Sequence, residues 1–235
     1  MTMRLDYFLA HAAGLSRKEA RRAIGKGQVR VTGYERLKAS TTVTPDAAVL
    51  LNGQPVVWSV GERYYMLNKP EGVISATHDG EHQTVLDLLP PPLRNGLHPV
   101  GRLDKDTTGL LLLTSDGDWS HRLTSPRSHC AKTYRAWLAE PLAEASLQQL
   151  QEGVQLRNES RLTRPAKVIL EDPQQILLTV TEGRYHQVRR MLAAVGNHVQ
   201  ALHRERVGDL VLDDGLAPGE YRELTPEEVA AAEAP

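Results

Sequence analysis

Asp104 and Asp106 stand two residues apart in Pro99-Val100-Gly101-Arg102-Leu103-Asp104-Lys105-Asp106-Thr107-Thr108-Gly109-Leu110, a dense polar loop feeding the apolar run Leu110 to Leu113. A polar loop at the mouth of a strand is a common place for a site. Two neighbouring carboxylates suggest hydrolysis with acid–base help. Asp and Thr also satisfy their own backbone in tight turns, so the spacing admits a turn as well as a site. Glycoside hydrolysis needs its carboxyls ~5 Å or more apart across a sugar, and residues two apart on an extended loop need not converge on one. Tyr134, within Lys132-Thr133-Tyr134-Arg135, and the cations Arg184, Arg189 and Arg190 are further candidates. Their plain alternatives are a sheet-face aromatic and a solvated helix face. His129 beside Cys130, and His198 with His203, have no ligand spacing code, so no metal is expected.

A basic segment precedes these residues. The chain of 235 residues carries 28 Lys and Arg against 29 Asp and Glu, yet residues 1–38 hold nine basic and three acidic side chains. Arg17 with Arg21, and Lys18 with Arg22, are like-charge pairs four apart that cost a helix a few tenths of a kcal/mol each. Something anionic would offset that cost. With 40% apolar and 24% charged residues the composition is that of a folded, soluble chain rather than a disordered one. Apolar runs fall far short of the ~20 residues a membrane-spanning helix needs. The N-terminus reaches Arg4 and Asp6 without the apolar stretch of a secretory signal, so the cytosol is the expected location. A single cysteine, Cys130, cannot form an internal disulfide.

The elements that must position these groups follow from periodicity. Leu5, Phe8, Leu9 and Ala12 repeat at helical spacing with Gly14 as a stop, and Ser16-Arg17-Lys18-Glu19 is a capping box that opens a second helix. Ala20, Ala23, Ile24 and Gly27 form its expected inward stripe. Val29, Val31, Val43, Val49 and Leu51, with Asn52-Gly53, predict short strands and a hairpin. Trp58 to Glu62 reads as a linker. Beyond it, strands are expected near 64–67, 109–114, 132–139, 165–171, 175–181 and 198–212, and helices near 84–88, 117–123, 143–151, 185–195 and 225–232. This mixed order predicts an α+β domain with a largely antiparallel sheet.

Longer stretches carry a resemblance. Arg4-Leu5-Asp6-Tyr7-Phe8-Leu9-Ala10, Gly14-Leu15-Ser16-Arg17-Lys18-Glu19-Ala20 and Gly27-Gln28-Val29-Arg30-Val31-Thr32-Gly33 resemble the S4 RNA-binding domain. Gly101-Arg102-Leu103-Asp104 with Thr107-Thr108-Gly109-Leu110 resembles the central motif of the pseudouridine synthases. Asn68-Lys69-Pro70-Glu71-Gly72 is similar to their first motif, and Glu182-Gly183-Arg184-Tyr185-His186-Gln187-Val188-Arg189-Arg190-Met191 to their third. The resemblance implies an S4 domain at 1–60 and a catalytic domain at 63–235, with a mixed, mainly antiparallel sheet flanked by helices. The tail from His198 to Gly208 and from Leu216 to Arg222 is similar to the branch acting on 16S ribosomal RNA, implying uridine 516 as target. A large-subunit paralogue and a binding-only assembly factor are the alternatives.

Residue roles follow from the resemblance alone. Asp104 is implied as the nucleophile, or the carboxylate that promotes base detachment, whether it attacks C1′, attacks the ring or takes a sugar proton. Tyr134 is implied to stack on the flipped uracil and to assist removal of the C5 proton, although a free phenol, with a pKa of ~10, is a poor base. Arg184 matches the basic residue of the third motif, which predicts a buried ion pair with Asp104. Arg102 is available to fill the space the base leaves or to bind phosphate. Arg4, Ser16, Arg17, Lys18, Arg21, Arg22 and Lys26 are the implied RNA contacts. Isomerisation of uridine involves no net redox change, so no cofactor is expected. The implied partner is small-subunit ribosomal RNA, free or in an assembling ribonucleoprotein, met by a monomer and not by a membrane.

Overall fold

Leu5, Phe8 and Leu9 lose all their solvent-exposed surface, and around them the N-terminal segment folds. The computed structural model describes residues 2–58 and 61–234. Strand β1 (Met3–Arg4) leads into α1 (Leu5–Ala13), which stops at Gly14 in the left-handed conformation, φ 66°. Helix α2 (Arg17–Gly25) opens with the expected box: Ser16 Oγ accepts from the Glu19 N–H at 3.1 Å, and the Glu19 carboxylate accepts from the Ser16 N–H at 2.8 Å. Ala20, Ala23 and Ile24 face inward. Gly27, expected on the same stripe, is exposed, because the helix has ended and the chain turns there with φ 68°. Strands β2 (Val29–Val31), β3 (Thr42–Val43), β4 (Val49–Leu51) and β5 (Gln54–Val56) close the unit; β3 pairs β1, and β2-β4-β5 form a sheet whose hairpin turns at Asn52-Gly53, both at positive φ. Trp58 packs on this core. Ser59 and Val60, within the expected linker, lie outside the described residues.

The larger unit is a nine-stranded sheet. Its elements run β6 (Tyr64–Lys69), a 3₁₀ turn (Val85–Leu88), α3 (Pro91–Arg94), β7 (His98–Pro99), β8 (Thr107–Thr114), α4 (Gly117–Thr124) and β9 (Lys132–Leu138). Then follow α5 (Glu144–Glu152), β10 (Lys167–Asp172), β11 (Gln175–Val180), α6 (Gln187–Ala194), β12 (Val199–Val207), β13 (Leu210–Val211), β14 (Tyr221–Glu223) and α7 (Pro226–Ala232). The order across the sheet is β10-β11-β9-β12-β8-β6-β14, with β13 on β12 and β7 on β8. Only the β12–β8 ladder is parallel among the described strands.

Strand β8 is covered on both faces, which is why its sequence reads as one apolar run. Leu110 and Leu112 pack with Trp119 and Leu123 of α4 and Ala232 of α7. Leu111 and Leu113 pack with Leu86, Leu89, Leu97 and Leu103. Beside that second cluster, α5 and α6 bury Leu150, Val188, Met191 and Leu192 against Ala136, Ile176 and Leu178. Tyr134 of β9 packs against both clusters and so lies at their seam. Two expectations need correction, and one element is new. The segment near 84–88 makes a 3₁₀ turn, its N–H groups bonding carbonyls three residues back, as Asp87 does to Thr84 and Leu89 to Leu86. The strand expected over 198–212 breaks into β12 and β13 at Gly208, φ 56°. The sheet edge at β14 was not anticipated, because three residues carry no readable period.

Candidate active site

Backbone bonds fix the loop between β7 and β8. Buried Ser75 grips Leu103, its Oγ accepting from the N–H at 3.0 Å and donating to the carbonyl at 2.8 Å. The Gly72 N–H donates to the Lys105 carbonyl at 2.8 Å, and the Thr107 N–H to the Asp104 carbonyl at 3.1 Å. Lys69, fully buried, donates from Nζ to the carbonyls of Thr107 (2.8 Å), Pro70 (3.0 Å) and Lys105 (3.4 Å). Burial pushes its pKa down to about 8, against the pull of Asp106, Asp104 and Glu71.

Lys69 therefore titrates while folded well below its unfolded value. Between about pH 8 and 10.5 the unfolded chain binds more protons, so the Lys69 contribution to stability rises with pH. Catalysis should run the other way, since a neutral amine has two hydrogens for three carbonyls. Turnover is expected to fall above about pH 8. Lys69→Met should abolish that limb and cost ~10–100-fold in kcat at neutral pH, while stability stays within ~1 kcal/mol because a buried charge goes too. A pH–rate profile alongside thermal melts checks this.

The third motif supplies the opposite wall. The expected Asp104–Arg184 ion pair does not form. Arg184 is drawn off by Glu182 (3.2 Å), Glu159 (3.2 Å) and the carbonyls of Arg161 (2.9 Å) and Leu162 (2.6 Å), which staple the 157–162 loop to the start of α6. Arg190 holds the same Glu159 at 2.9 Å. What meets Asp104 is His186, whose Nε2 lies 3.2 Å from Oδ1. One turn on along α6, Arg189 Nη2 contacts Asp106 Oδ2 at 3.0 Å, and its buried Nε has no hydrogen-bond partner among the described residues. The expected deep burial also needs correction: the Asp104 side chain keeps 32% of its surface exposed. Arg102 is exposed and makes no ion pair among the described residues.

Tyr134 faces a cation that sequence reasoning did not single out. The Arg204 guanidinium lies 5.9 Å from the Tyr134 ring centroid, with Nη1 3.5 Å from the phenol oxygen. Arg204 is 4% exposed and donates from Nε to the Leu110 carbonyl at 2.8 Å. No carboxylate pairs with it among the described residues, a costly state for a group that cannot shed its proton. Its signal in the sequence is only a charged residue on an otherwise inward strand position.

The basic helix contains its own anion. Asp6 has no exposed surface and accepts from Arg4 (3.1 Å), Arg17 (3.0 Å) and Arg21 (3.0 Å). Burial raises its pKa, but the bonds from Arg4, Arg21 and Arg17 outweigh that and hold the carboxyl well below the usual range. The Arg17–Arg21 repulsion is thus relieved inside the protein. All three guanidiniums remain about half exposed, whereas Lys18, Arg22 and Lys26 are exposed with no ion pair among the described residues. Ser16 is committed to the cap.

Comparison with known proteins agrees with these features. Residues 63–194 match the RNA pseudouridylate synthase family model and residues 3–49 match the S4 domain model. Ribosomal small subunit pseudouridine synthase A of Yersinia pestis is 52% identical over 233 residues, 99% of each chain. The protein of that name from Escherichia coli K12 is 52% identical over 97% of this chain and 99% of its own. A crystal structure described as a pseudouridylate synthase superposes with a TM-score of 0.72 at 43% identity, over 98% of this chain and 99% of that one. The chain therefore belongs to the RNA pseudouridylate synthase family, with an S4 domain ahead of the synthase domain.

Proposed function

We propose that the protein isomerises one uridine of 16S ribosomal RNA, at position 516, working in the cytosol as a monomer. The supporting observation is a carboxylate, Asp104, on a loop fixed by Ser75 and Lys69 and flanked by the start of α6. Phosphate contacts from Arg4, Arg17, Lys18, Arg21, Arg22 and Lys26 offset the few kcal/mol needed to extrude a stacked base. The base enters the seam between the two clusters and stacks on Tyr134. Asp104 detaches it from C1′, the uracil turns, and C5 takes the place of N1. Arg189, rather than Arg184, supplies the guanidinium that meets the catalytic loop, through Asp106. Arg184 serves by shaping the start of α6. Arg102 at the rim contacts phosphate. Arg204 offers its unpaired charge to the uracil as that becomes anionic.

Two experiments test this. Full-length protein is incubated with 16S and 23S transcripts and with assembly intermediates, all carrying C5-tritiated uridine. Release from 16S RNA, mapped to position 516, is expected. Release from 23S RNA alone, or from none, would reject it. On the binding side, Asp6→Asn is expected to weaken 16S affinity ~10-fold without reducing the salt dependence of binding, since it misplaces three arginines but removes no cation. A shallower salt slope would reject the positioning role.

A further inference from the structure

Three observations converge on His186. Its Nε2 touches the reacting carboxylate at 3.2 Å, in the place where a guanidinium was expected. Its backbone is held at φ 47°, ψ 37° at the cap of α6 with no side-chain capping bond, a strained conformation for a non-glycine residue and one that clusters at functional sites. Tyr185, 76% exposed, stacks on its ring with centroids 3.7 Å apart and planes 20° from parallel. Strain and an exposed aromatic together aim one imidazole at Asp104.

The reaction needs a proton to leave C5 and a proton to reach N1, while Asp104 is engaged in detaching the base. We propose that His186 is a catalytic residue that shuttles this proton, an inference resting on the function given above. In the resting enzyme the imidazolium donates Nε2–H to Asp104. When the C1′–N1 bond breaks, an Asp104 carboxylate oxygen bonds C1′ and the departing electron pair stays on N1, which takes the proton from Nε2 and leaves neutral imidazole. C5 then bonds to C1′, restoring the Asp104 carboxylate. The C5–H electron pair becomes the C5–C6 double bond of the product, and the proton returns to Nε2. No electrons enter or leave, and the enzyme ends as it began.

The charged group in contact with the ring is Asp104; in the same segment Arg189 is engaged by Asp106, and Arg184 and Arg190 are both tied to Glu159. Imidazole is the side chain suited to such a shuttle near neutrality.

The test uses full-length enzyme and a 16S transcript. His186→Gln keeps a donor for Asp104 but cannot titrate. It is expected to lower kcat ~100-fold, change KM little and enlarge the C5-deuterium isotope effect. His186→Gly suits the left-handed backbone, and added imidazole should restore its kcat. Parent-like kcat in His186→Gln would overturn the proposal, as would no imidazole rescue with an unchanged isotope effect. Asp104→Asn run in parallel separates the two ideas: an active Asp104→Asn enzyme defeats the underlying mechanism, whereas an inactive one beside a normal His186→Gln defeats only the shuttle.

Discussion

Asp104→Asn is expected to lower pseudouridine formation by ~10⁴-fold or more, the scale on which a central catalytic group is lost, while melting within a few degrees of the parent. The separation follows from how the loop is held. Ser75, Lys69 and Gly72 bind it through the backbone of Leu103, Lys105 and Thr107, and none of those bonds uses the Asp104 side chain. A carboxamide has the same shape and still offers an oxygen to His186. With about a third of its surface exposed, it strands no buried polar group. What disappears is the negative charge to which the proposed reaction assigns base detachment. Tritium release under single-turnover conditions, with RNA affinity and a thermal melt measured on the same preparation, checks both halves. Retained activity would sink the assignment, and a collapse of the melt would mean that the side chain holds the loop after all.

The sequence was most legible where a contact is local. The α1 stripe, the Ser16–Glu19 box and the Asn52-Gly53 hairpin are each closed within a few residues, and all three stand where periodicity and capping place them. The continuous run in β8 is equally direct, since a strand covered on both faces needs apolar side chains at every position. Legibility ended where distant segments choose between equivalent partners. Arg184, Arg189 and Arg190 sit within seven residues. Which of them meets a carboxylate of the central loop depends on Glu159 and on the carbonyls of Arg161 and Leu162, some 25 residues upstream. Those acceptors claim Arg184 and Arg190, leaving Arg189 to Asp106 and His186 to Asp104. Arg204 was hidden for a similar reason, because only the β12–β9 ladder sets it opposite Tyr134 and only the β12–β8 ladder buries it against Leu110. The anion that offsets Arg17 and Arg21 was in the sequence throughout as Asp6, but on another helix.

That ladder is also where the smallest substitution should do the greatest damage to the fold. Gly109 lies in β8 with φ 99°, between Lys69 of β6 and Arg204 of β12. A Cβ there would sit 2.3 Å from the Arg204 carbonyl oxygen and 2.8 Å from its nitrogen, both backbone atoms that cannot swing aside. Gly109→Ala therefore combines positive-φ strain of ~1–3 kcal/mol with a backbone clash whose relief costs ~1–3 kcal/mol. A loss of roughly 4 kcal/mol, seen as a melting point lower by ~10 °C, is the expected result. Pushing β12 from β8 also pulls the Arg204 guanidinium off the Leu110 carbonyl and loosens the strand on which the Asp104 loop ends, so whatever folds should turn over at least ~10-fold more slowly. Gly117→Ala is the matched control: it opens α4, has no atom within 4 Å of an added Cβ, and should melt within ~1 kcal/mol of the parent. If both variants melt alike, the strands do not approach as closely at Gly109 as this geometry requires, and the placement of Arg204 beside the base loses its support.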